Sequence, residues 1–156
     1  MEAIAVDRAA EHRRRVEEAL PATLAAGGSP LAGVLADATL GGGRRIRSVL
    51  VLMACEAAGG RAADALDLAC AIEMIHAASL ALDDLPAMDD EQVRRNAPAL
   101  HRRHGEAAAI LASVALIARA FEIAGIHDRA RGTDAVGRNA RTIGASGMCG
   151  GQIVDL

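Results

Sequence analysis

The chain has 156 residues, of which 52% are hydrophobic and only one, Phe121, is aromatic, and its formal net charge is −3. A net charge this small gives no whole-chain attraction to nucleic acid, so nucleic-acid binding is not expected. The N-terminal residues lack an apolar signal core, and the longest uncharged apolar run, 107–118, is too short to span a bilayer comfortably. We therefore expect a protein without an integral membrane segment.

Three cysteines, Cys55, Cys70 and Cys149, occur in apolar or glycine-rich surroundings without the spacing of metal ligands. An odd number of such cysteines is typical of free thiols in a reducing compartment. The sequence therefore predicts a cytoplasmic location.

The sequence of the first half of the chain predicts three helices, which are separated by glycine or proline. Residues 6–20 predict the first helix, and Pro21 should end or kink it because proline cannot donate to the helical ladder. Residues 31–40 predict a second, shorter helix, and residues 44–58 predict a third. The side chains available for a buried core are those of Ala, Leu, Ile, Val and Met, and Ala-rich helices pack closely. We expect a single all-α domain over residues 1–156.

A run of three glycines, 41–43, precedes the third helix and is a candidate binding element. Glycine lets the backbone approach a ligand closely, and the amides at a helix start point at anions. Arg44 and Arg47 follow, three positions apart, which would place them on one helical face as a clamp for a diphosphate. Taken alone, the pattern fits a turn followed by a solvated face equally well.

Residues 63–82 predict the helix that leads into two aspartate pairs, Asp83–Asp84 and Asp89–Asp90. Pro86 lies between the pairs and should loosen the helical ladder there. A kink at that point could bring Asp83 and Asp89 together, although plain helical spacing would separate them. His76 lies seven positions before Asp83 and so points nearly the same way. Without further context His76 could equally be a hydrogen-bonded core histidine.

Gathered carboxylates repel one another unless a cation or a proton intervenes. Oxygen ligands suit Mg²⁺, which commonly binds one or two carboxylates together with phosphate oxygens and water. Arg94 and Arg95 follow the second aspartate pair and supply forked donors that match phosphate oxygens. The pattern favours a magnesium-bridged diphosphate, with a solvated acidic loop followed by a basic one as the alternative.

The rest of the chain predicts further helices. One should run from about residue 99 to near residue 125, with a buried middle, followed by a charged turn over 127–132. Helical structure should resume at Thr133 and continue through the glycine-rich segment 144–156.

The stretch from Glu73 to Glu106 resembles the first aspartate-rich motif of the trans-isoprenyl diphosphate synthases, the polyprenyl synthetase family. The matching pattern is E-x-x-H-x-x-S-L-x-x-D-D-L-P-x-M-D-D followed by R-R-x-x-P-x-x-H-x-x-x-G-E. The glycine run resembles the family's G-G-K-R-x-R-P element, with Arg44 in place of lysine and Ser48 in place of proline. Residues 147–156 resemble G-M-x-x-G-Q-x-x-D-[LI], and residues 113–116 stand where the family usually has G-D-A-L.

The resemblance implies an isoprenoid synthase-type helical bundle around a central cavity, of which this chain covers the N-terminal half. It implies a prenyltransferase that joins isopentenyl diphosphate head-to-tail to an allylic diphosphate, with Mg²⁺ as the cofactor, and a homodimer. By the match, Asp83 and Asp89 would be the magnesium ligands, Asp84 would support them and Arg94 would hold the allylic diphosphate. The residues implied for binding isopentenyl diphosphate are Arg44, Arg47, His76 and Arg95. Gln152 and Asp155 are implied to face the cavity.

The resemblance also bears on product length, because a bulky residue five positions before the first aspartate commonly closes the pocket in this family. That position is Ala78, and the next residue is Ser79, so both leave room for a chain of geranylgeranyl length. The family's allylic-diphosphate lysine and second aspartate-rich motif do not occur in these residues. We therefore expect the 156-residue chain alone to be a dimer or larger and inactive in condensation. The alternative function is a non-catalytic or truncated subunit that associates with a full-length synthase and modulates it.

Overall fold

The computed structural model describes the backbone of residues 2–24 and 27–155, and the side chains from Asp7 onward within those ranges. The first four helices are α1 (Glu2–Leu24), α2 (Ala32–Thr39), α3 (Ile46–Ala57) and α4 (Leu66–Asp83), with a short 3-10 helix, Ala62–Ala65, before α4. Two short strands follow, β1 (Val93–Arg94) and β2 (Ala97–Pro98). The remaining helices are α5 (Leu100–His104), α6 (Glu106–Arg131), α7 (Ala135–Ile143) and α8 (Met148–Asp155). The all-α prediction is confirmed.

Helix α4 is the centre of the fold, because buried residues occur all around it rather than along one stripe. Its small side chains, including Ala71 and Ala78, let α6 approach closely over Ala109 and Ala112. Larger apolar side chains from α1, α3, α4 and α6 are almost completely buried and fill the core: Leu20, Leu52, Met74 and Leu116. The site residues on α4 are therefore held by a rigid, closely packed element.

By length and composition alone, residues 62–83 and Glu106–Arg131 could each cross a membrane. The first of these segments includes α4, which packs against α1, α3 and α6 and has a buried glutamate, Glu73, in its middle. Such packing is the behaviour of a core helix in a bundle.

Several predicted helix boundaries are wrong. Helix α1 continues through Pro21 to Leu24, because the proline lies on the exposed side within the last turn. The helix predicted from residue 99 to residue 125 is two helices, since Gly105 has φ 84 and breaks the ladder between α5 and α6. Residues 127–131, predicted as a turn, form the last turn of α6, which Gly132 ends at φ 66.

A β-hairpin connects the acidic loop to α5, and the sequence did not predict it. Val93 pairs with Pro98, and Arg94 pairs with Ala97, in antiparallel register. The two linking residues, Arg95 and Asn96, have φ values of 53 and 63, as a two-residue turn matching the twist of the strands requires. Because the chain reverses here, Arg94 and Arg95 are carried back toward α4 and the glycine run.

Candidate functional site

Arginines line a cavity of about 490 Å³ between the start of α3 and the middle of α4, which we call the basic cavity. Its wall contains five guanidinium groups and only one carboxylate. The lining residues are Gly43, Arg44, Arg45, Ile46, Arg47, Glu73, His76, Leu80, Arg94 and Arg95. This arrangement suits a strongly anionic ligand such as a diphosphate.

The structure places Arg44 and Arg47 at the basic cavity, but not on one helical face. Helix α3 begins at Ile46, two residues later than predicted, and Arg45 before it has a left-handed backbone with φ 51. Arg44 therefore extends from the loop and Arg47 from the first helical turn. In the described chain neither side chain has a carboxylate within salt-bridge distance, so both remain available to a ligand.

His76 faces Arg47 across the basic cavity, with its Nε2 atom 3.2 Å from Nη1 of Arg47. The ring is half-buried, and burial followed by the positive charge of Arg47 lowers the pKa of His76 below its ordinary value. The imidazole is therefore neutral near pH 7, and its Nε2 atom accepts a hydrogen bond from Arg47. This contact orients the guanidinium of Arg47.

Arg95 closes the opposite side of the basic cavity by reaching back to the glycine run. Its Nη1 atom donates to the carbonyl oxygen of Gly42 at 2.6 Å. A Cβ atom at Gly43 would lie in ordinary contact, 3.4 Å from the Arg95 guanidinium, so the position favours glycine because of its φ of 131. Burial lowers the pKa of Arg95, yet the group remains charged at neutral pH.

The loop after α4 brings the two aspartate pairs back toward each other. The amide of Asp89 donates to the carbonyl oxygen of Asp83 at 2.9 Å, and the amide of Met88 donates to that of Leu85 at 2.9 Å. Helix α4 ends at Asp83, three residues before Pro86, and the chain then turns tightly. The backbones of Asp83 and Asp89 are therefore adjacent, although six positions separate them.

The electrostatics at Asp83 show the repulsion among gathered carboxylates. Burial and then the negative charge of Asp89 raise the pKa of Asp83 above its ordinary value, and the charges of Asp84 and Asp155 act in the same direction. Arg94 opposes this shift only partly. A cation between Asp83 and Asp89 would relieve the repulsion, which is the chemical condition for binding Mg²⁺ there.

Asp84 points away from this pair and is occupied by Arg94. The Nε atom of Arg94 donates to Oδ1 of Asp84 at 2.9 Å, the Nη2 atom contacts the same oxygen, and the Asp84 side chain is 3% exposed. This contact is the main cause that raises the pKa of Arg94. The ion pair ties the hairpin to the end of α4 and so supports the acidic loop.

A second cavity, of about 480 Å³, lies between α4 and α8, and we refer to it as the central cavity. Apolar side chains form most of its wall, with Asp83 at one end. The lining residues are Arg47, His76, Ser79, Leu80, Leu82, Asp83, Met88, Met148, Cys149, Gln152 and Ile153. It meets the basic cavity at Arg47, His76 and Leu80, which line both.

Gln152 on α8 contacts the acidic site directly, since its Nε2 atom donates to Oδ1 of Asp83 at 2.5 Å. Residue 156, the last residue of the segment 147–156 that resembles the family pattern, lies outside the described residues.

Ala78 and Ser79, the two positions predicted to affect product length, differ in where they lie. Ser79 lines the central cavity, whereas Ala78 is fully buried in the core and does not line it. Val114, where the family usually has aspartate, lies 58% exposed on α6 away from both cavities.

Among the described residues, no three His, Cys, Asp or Glu side chains are gathered closely enough to hold a metal ion by themselves. The donor set nevertheless fits Mg²⁺, which needs only one or two carboxylates when phosphate and water supply the rest.

Sequence reasoning missed two buried residues, Arg45 and Glu73, which form an ion pair at 3.3 Å. Both belong to the motifs, but their burial depends on how α3 meets α4. It also missed the apolar wall residues Leu82, Met88 and Met148. No signal in a single sequence marks such positions as cavity-lining rather than core.

The family model described as "Polyprenyl synthetase" matches residues 29–156. A heterodimeric geranylgeranyl pyrophosphate synthase large subunit from Arabidopsis thaliana is 44% identical over 75% of this chain and 33% of its own length. A dimethylallyltranstransferase from Fischerella ambigua is 37% identical over 96% of this chain and 45% of its own length.

Solved structures show the same similarity. An FPP/GFPP synthase from Zymomonas mobilis has a TM-score of 0.89 and 31% identity, over 99% of this chain and 58% of that one. A geranyltransferase from Legionella pneumophila has a TM-score of 0.89 and 31% identity, over 99% of this chain and 56% of that one. The chain thus spans about a third to a half of the length of these curated relatives. On its sequence match, its fold and its site, the chain belongs to the polyprenyl synthetase family.

Proposed function

We propose that this chain forms the substrate-binding part of an isoprenyl diphosphate synthase. The observation that carries the proposal is the junction of the two cavities at Arg47, His76 and Leu80. The basic cavity presents three guanidinium groups that have no carboxylate partner among the described residues, those of Arg44, Arg47 and Arg95, and the central cavity presents a mostly apolar wall that includes Asp83. The two cavities together would hold two diphosphates side by side. The apolar tail of one would lie in the central cavity, and the other would bind to the arginines of the basic cavity.

In this function Arg44, Arg47 and Arg95 hold isopentenyl diphosphate, with His76 orienting Arg47. Asp83 and Asp89 hold Mg²⁺, which when bound supplies charge neutralisation for a leaving diphosphate. Asp84 fixes Arg94 at the end of α4, so that Arg94 remains near the diphosphate of the allylic substrate. Gln152 holds Asp83 from the opposite wall. The central cavity offers the allylic tail a mostly apolar wall.

The product we propose is geranylgeranyl diphosphate, since the small Ser79 is among the α4 side chains that line the central cavity and leaves room for a long chain. Relatives named geranylgeranyl diphosphate synthases include one from Cyanophora paradoxa, 47% identical over 74% of this chain. The plant relatives are named chloroplastic. For this chain we propose a cytoplasmic location, to which its three free thiols are suited.

A homodimer through α6 is part of the proposal. An apolar stripe on α6 stays exposed: Ile110 is 42% exposed, Leu111 57% and Val114 58%. These residues lie on one face of the helix, away from α4, and an apolar stripe of this kind is suited to the same stripe on a second copy. The relative from Arabidopsis thaliana named a heterodimeric large subunit supports association between chains of this family.

The test has two parts. Calorimetry on this chain should detect isopentenyl diphosphate binding, and Mg²⁺-dependent binding of inorganic diphosphate. A protein extending this chain to the length of its relatives should incorporate radiolabelled isopentenyl diphosphate into an allylic product. The alternative function, a non-catalytic subunit that modulates a synthase, predicts neither binding event. Absence of both would refute our proposal and leave that alternative.

A further inference from the structure

Arg45 and Glu73 form a buried ion pair that has no role in the proposed function. Nη1 of Arg45 lies 3.3 Å from Oε2 of Glu73, and the two side chains are only 3% and 4% exposed. Nη2 of Arg45 donates to the carbonyl oxygen of Thr39 at 2.9 Å, at the end of α2. Burying two charges is costly, and a buried pair is weak evidence for stability alone. The position of the Arg45–Glu73 pair in the fold is therefore more informative than its contribution to stability.

Glu73 also contacts the beginning of α3. Its Oε1 atom accepts a hydrogen bond of 3.4 Å from the amide of Ser48, the third residue of that helix. The first amides of a helix lack partners within the helix, and Arg45 at the N-cap position supplies no side-chain acceptor. A carboxylate at this end is also favoured by the helix dipole. Glu73 on α4 thus caps α3 from outside.

Ser48 itself distinguishes this chain from the family pattern, which has proline at this position. Proline has no amide hydrogen, so it could not donate to Glu73. Arg45 has a left-handed backbone with φ 51, a conformation that costs energy in a residue other than glycine. The contacts of the Arg45 side chain with Thr39 and Glu73 hold that residue in place.

Three contacts therefore join the beginning of α3 to α4: Glu73 contacts Arg45 and Ser48, and His76 contacts Arg47. We infer that the Arg45–Glu73 pair is a positioning device that holds the first turn of α3 so that Arg47 meets His76. Arg45 and Glu73 line the basic cavity, but their charges are paired with each other, and they act on the ligand through Arg47. The inference about contacts stands on geometry, whereas its consequence for isopentenyl diphosphate rests on the proposed function.

The tautomer of His76 reports this arrangement. Arginine can only donate, so Nε2 of His76 must accept and the ring proton must lie on Nδ1. A histidine that loses this donor is free to return its proton to Nε2. Nitrogen-15 NMR of the imidazole distinguishes the two forms. The measurement belongs at about pH 8, above the ordinary histidine pKa of about 6.5, where the ring is neutral.

The experiment compares the wild-type chain with Glu73→Gln and Arg45→Lys. His76→Gln assigns the signal among the five histidines of the chain. We expect the Nδ1–H tautomer in the wild type, its loss in Glu73→Gln, and a partial loss in Arg45→Lys, which keeps the charge without the fork. Isopentenyl diphosphate affinity, measured by calorimetry, should fall about tenfold in Glu73→Gln. Should Glu73→Gln fail to fold, Arg45→Lys decides the question.

Two control variants separate positioning from general destabilisation and from failure of the proposed function. Leu116→Ala weakens the core on α6, and it should lower the melting temperature while leaving the His76 tautomer unchanged. Arg47→Gln removes the donor directly and should change both tautomer and affinity. An unchanged tautomer in folded Glu73→Gln or Arg45→Lys would overturn the inference. If instead the wild type binds no isopentenyl diphosphate while the tautomers change as expected, the proposed ligand is wrong and the positioning role stands.

Discussion

Replacing Asp83 with asparagine should stabilise the chain while removing the proposed Mg²⁺-dependent binding of diphosphate. The pKa of Asp83 is raised by burial and by the charge of Asp89, so the folded chain binds a proton there more tightly than the unfolded chain does. The ionised carboxylate therefore lowers the free energy of unfolding. This loss should begin near the ordinary Asp pKa of about 3.9 and become complete as pH rises through the raised pKa.

The substitution Asp83→Asn changes little besides the charge. Asparagine has nearly the same shape as aspartate, and its side-chain oxygen can still accept the hydrogen bond from Gln152. Removing one of two partly solvated, repelling charges should raise the free energy of unfolding by about 1 kcal/mol at pH 7. For a chain of this length that corresponds to about 2–4 °C in melting temperature.

The ligand response should change in the opposite direction. Mg²⁺ with inorganic diphosphate at about 100 times its Kd should stabilise the wild type by about 2.7 kcal/mol, or roughly 5–10 °C. In Asp83→Asn, and in Asp83→Asn combined with Asp89→Asn, we expect this shift to disappear, because the carboxylates that complete the coordination are lost. Differential scanning calorimetry with and without Mg²⁺ and diphosphate measures both effects.

Asp90→Asn is the matched control, since Asp90 lies in the same loop, is exposed and has φ 51, a conformation that asparagine tolerates. It should change neither the melting temperature without ligand nor the response to Mg²⁺ and diphosphate. The metal assignment would be refuted if Asp83→Asn kept the full ligand response. The argument that the charge of Asp83 destabilises the fold would be refuted if Asp83→Asn, without ligand, were no more stable than Asp90→Asn.

Two further predictions concern product length and assembly. In a protein of full family length, Ser79→Phe should shorten the product by narrowing the central cavity, as chromatography of the products would show, and an unchanged profile would contradict this. Ala78→Phe should instead lower the free energy of unfolding by about 1–3 kcal/mol, because Ala78 is fully buried. An unchanged melting temperature would contradict the placement of Ala78 in the core. Leu111→Glu on α6 should convert the dimer to a monomer in light scattering, whereas Leu50→Glu, at an equally exposed leucine on α3, should not. A monomeric wild type would exclude the proposed dimer.

Residue types and their spacing were enough to predict the fold class. Helical periodicity in an Ala- and Leu-rich chain requires helices that pack closely, and the structure has them. The order of aspartates and arginines around Pro86 favoured a diphosphate site over a solvated loop once the resemblance to the polyprenyl synthetase family was added, and that site remains a prediction. Both are local properties, which a single sequence displays directly.

The sequence did not reveal which arginines face the basic cavity without a carboxylate partner and which one is buried. Arg45 and Arg47 are two positions apart and look equivalent in the sequence. The left-handed backbone at Arg45 delays the start of α3 and turns Arg45 into the core against Glu73. The direction of a side chain depends on where its helix begins, and that beginning is set by a contact with a residue 28 positions away.

Long-range packing also explains the other differences between the sequence-based predictions and the structure. Ala78 and Ser79 are adjacent small residues, and only the packing of α4 among its neighbours places one in the core and the other on the central cavity. The approach of Asp89 to Asp83 depends on a turn whose amides find their carbonyl partners only once the helix has ended. Sequence spacing shows which groups are available, whereas long-range packing decides which of them meet.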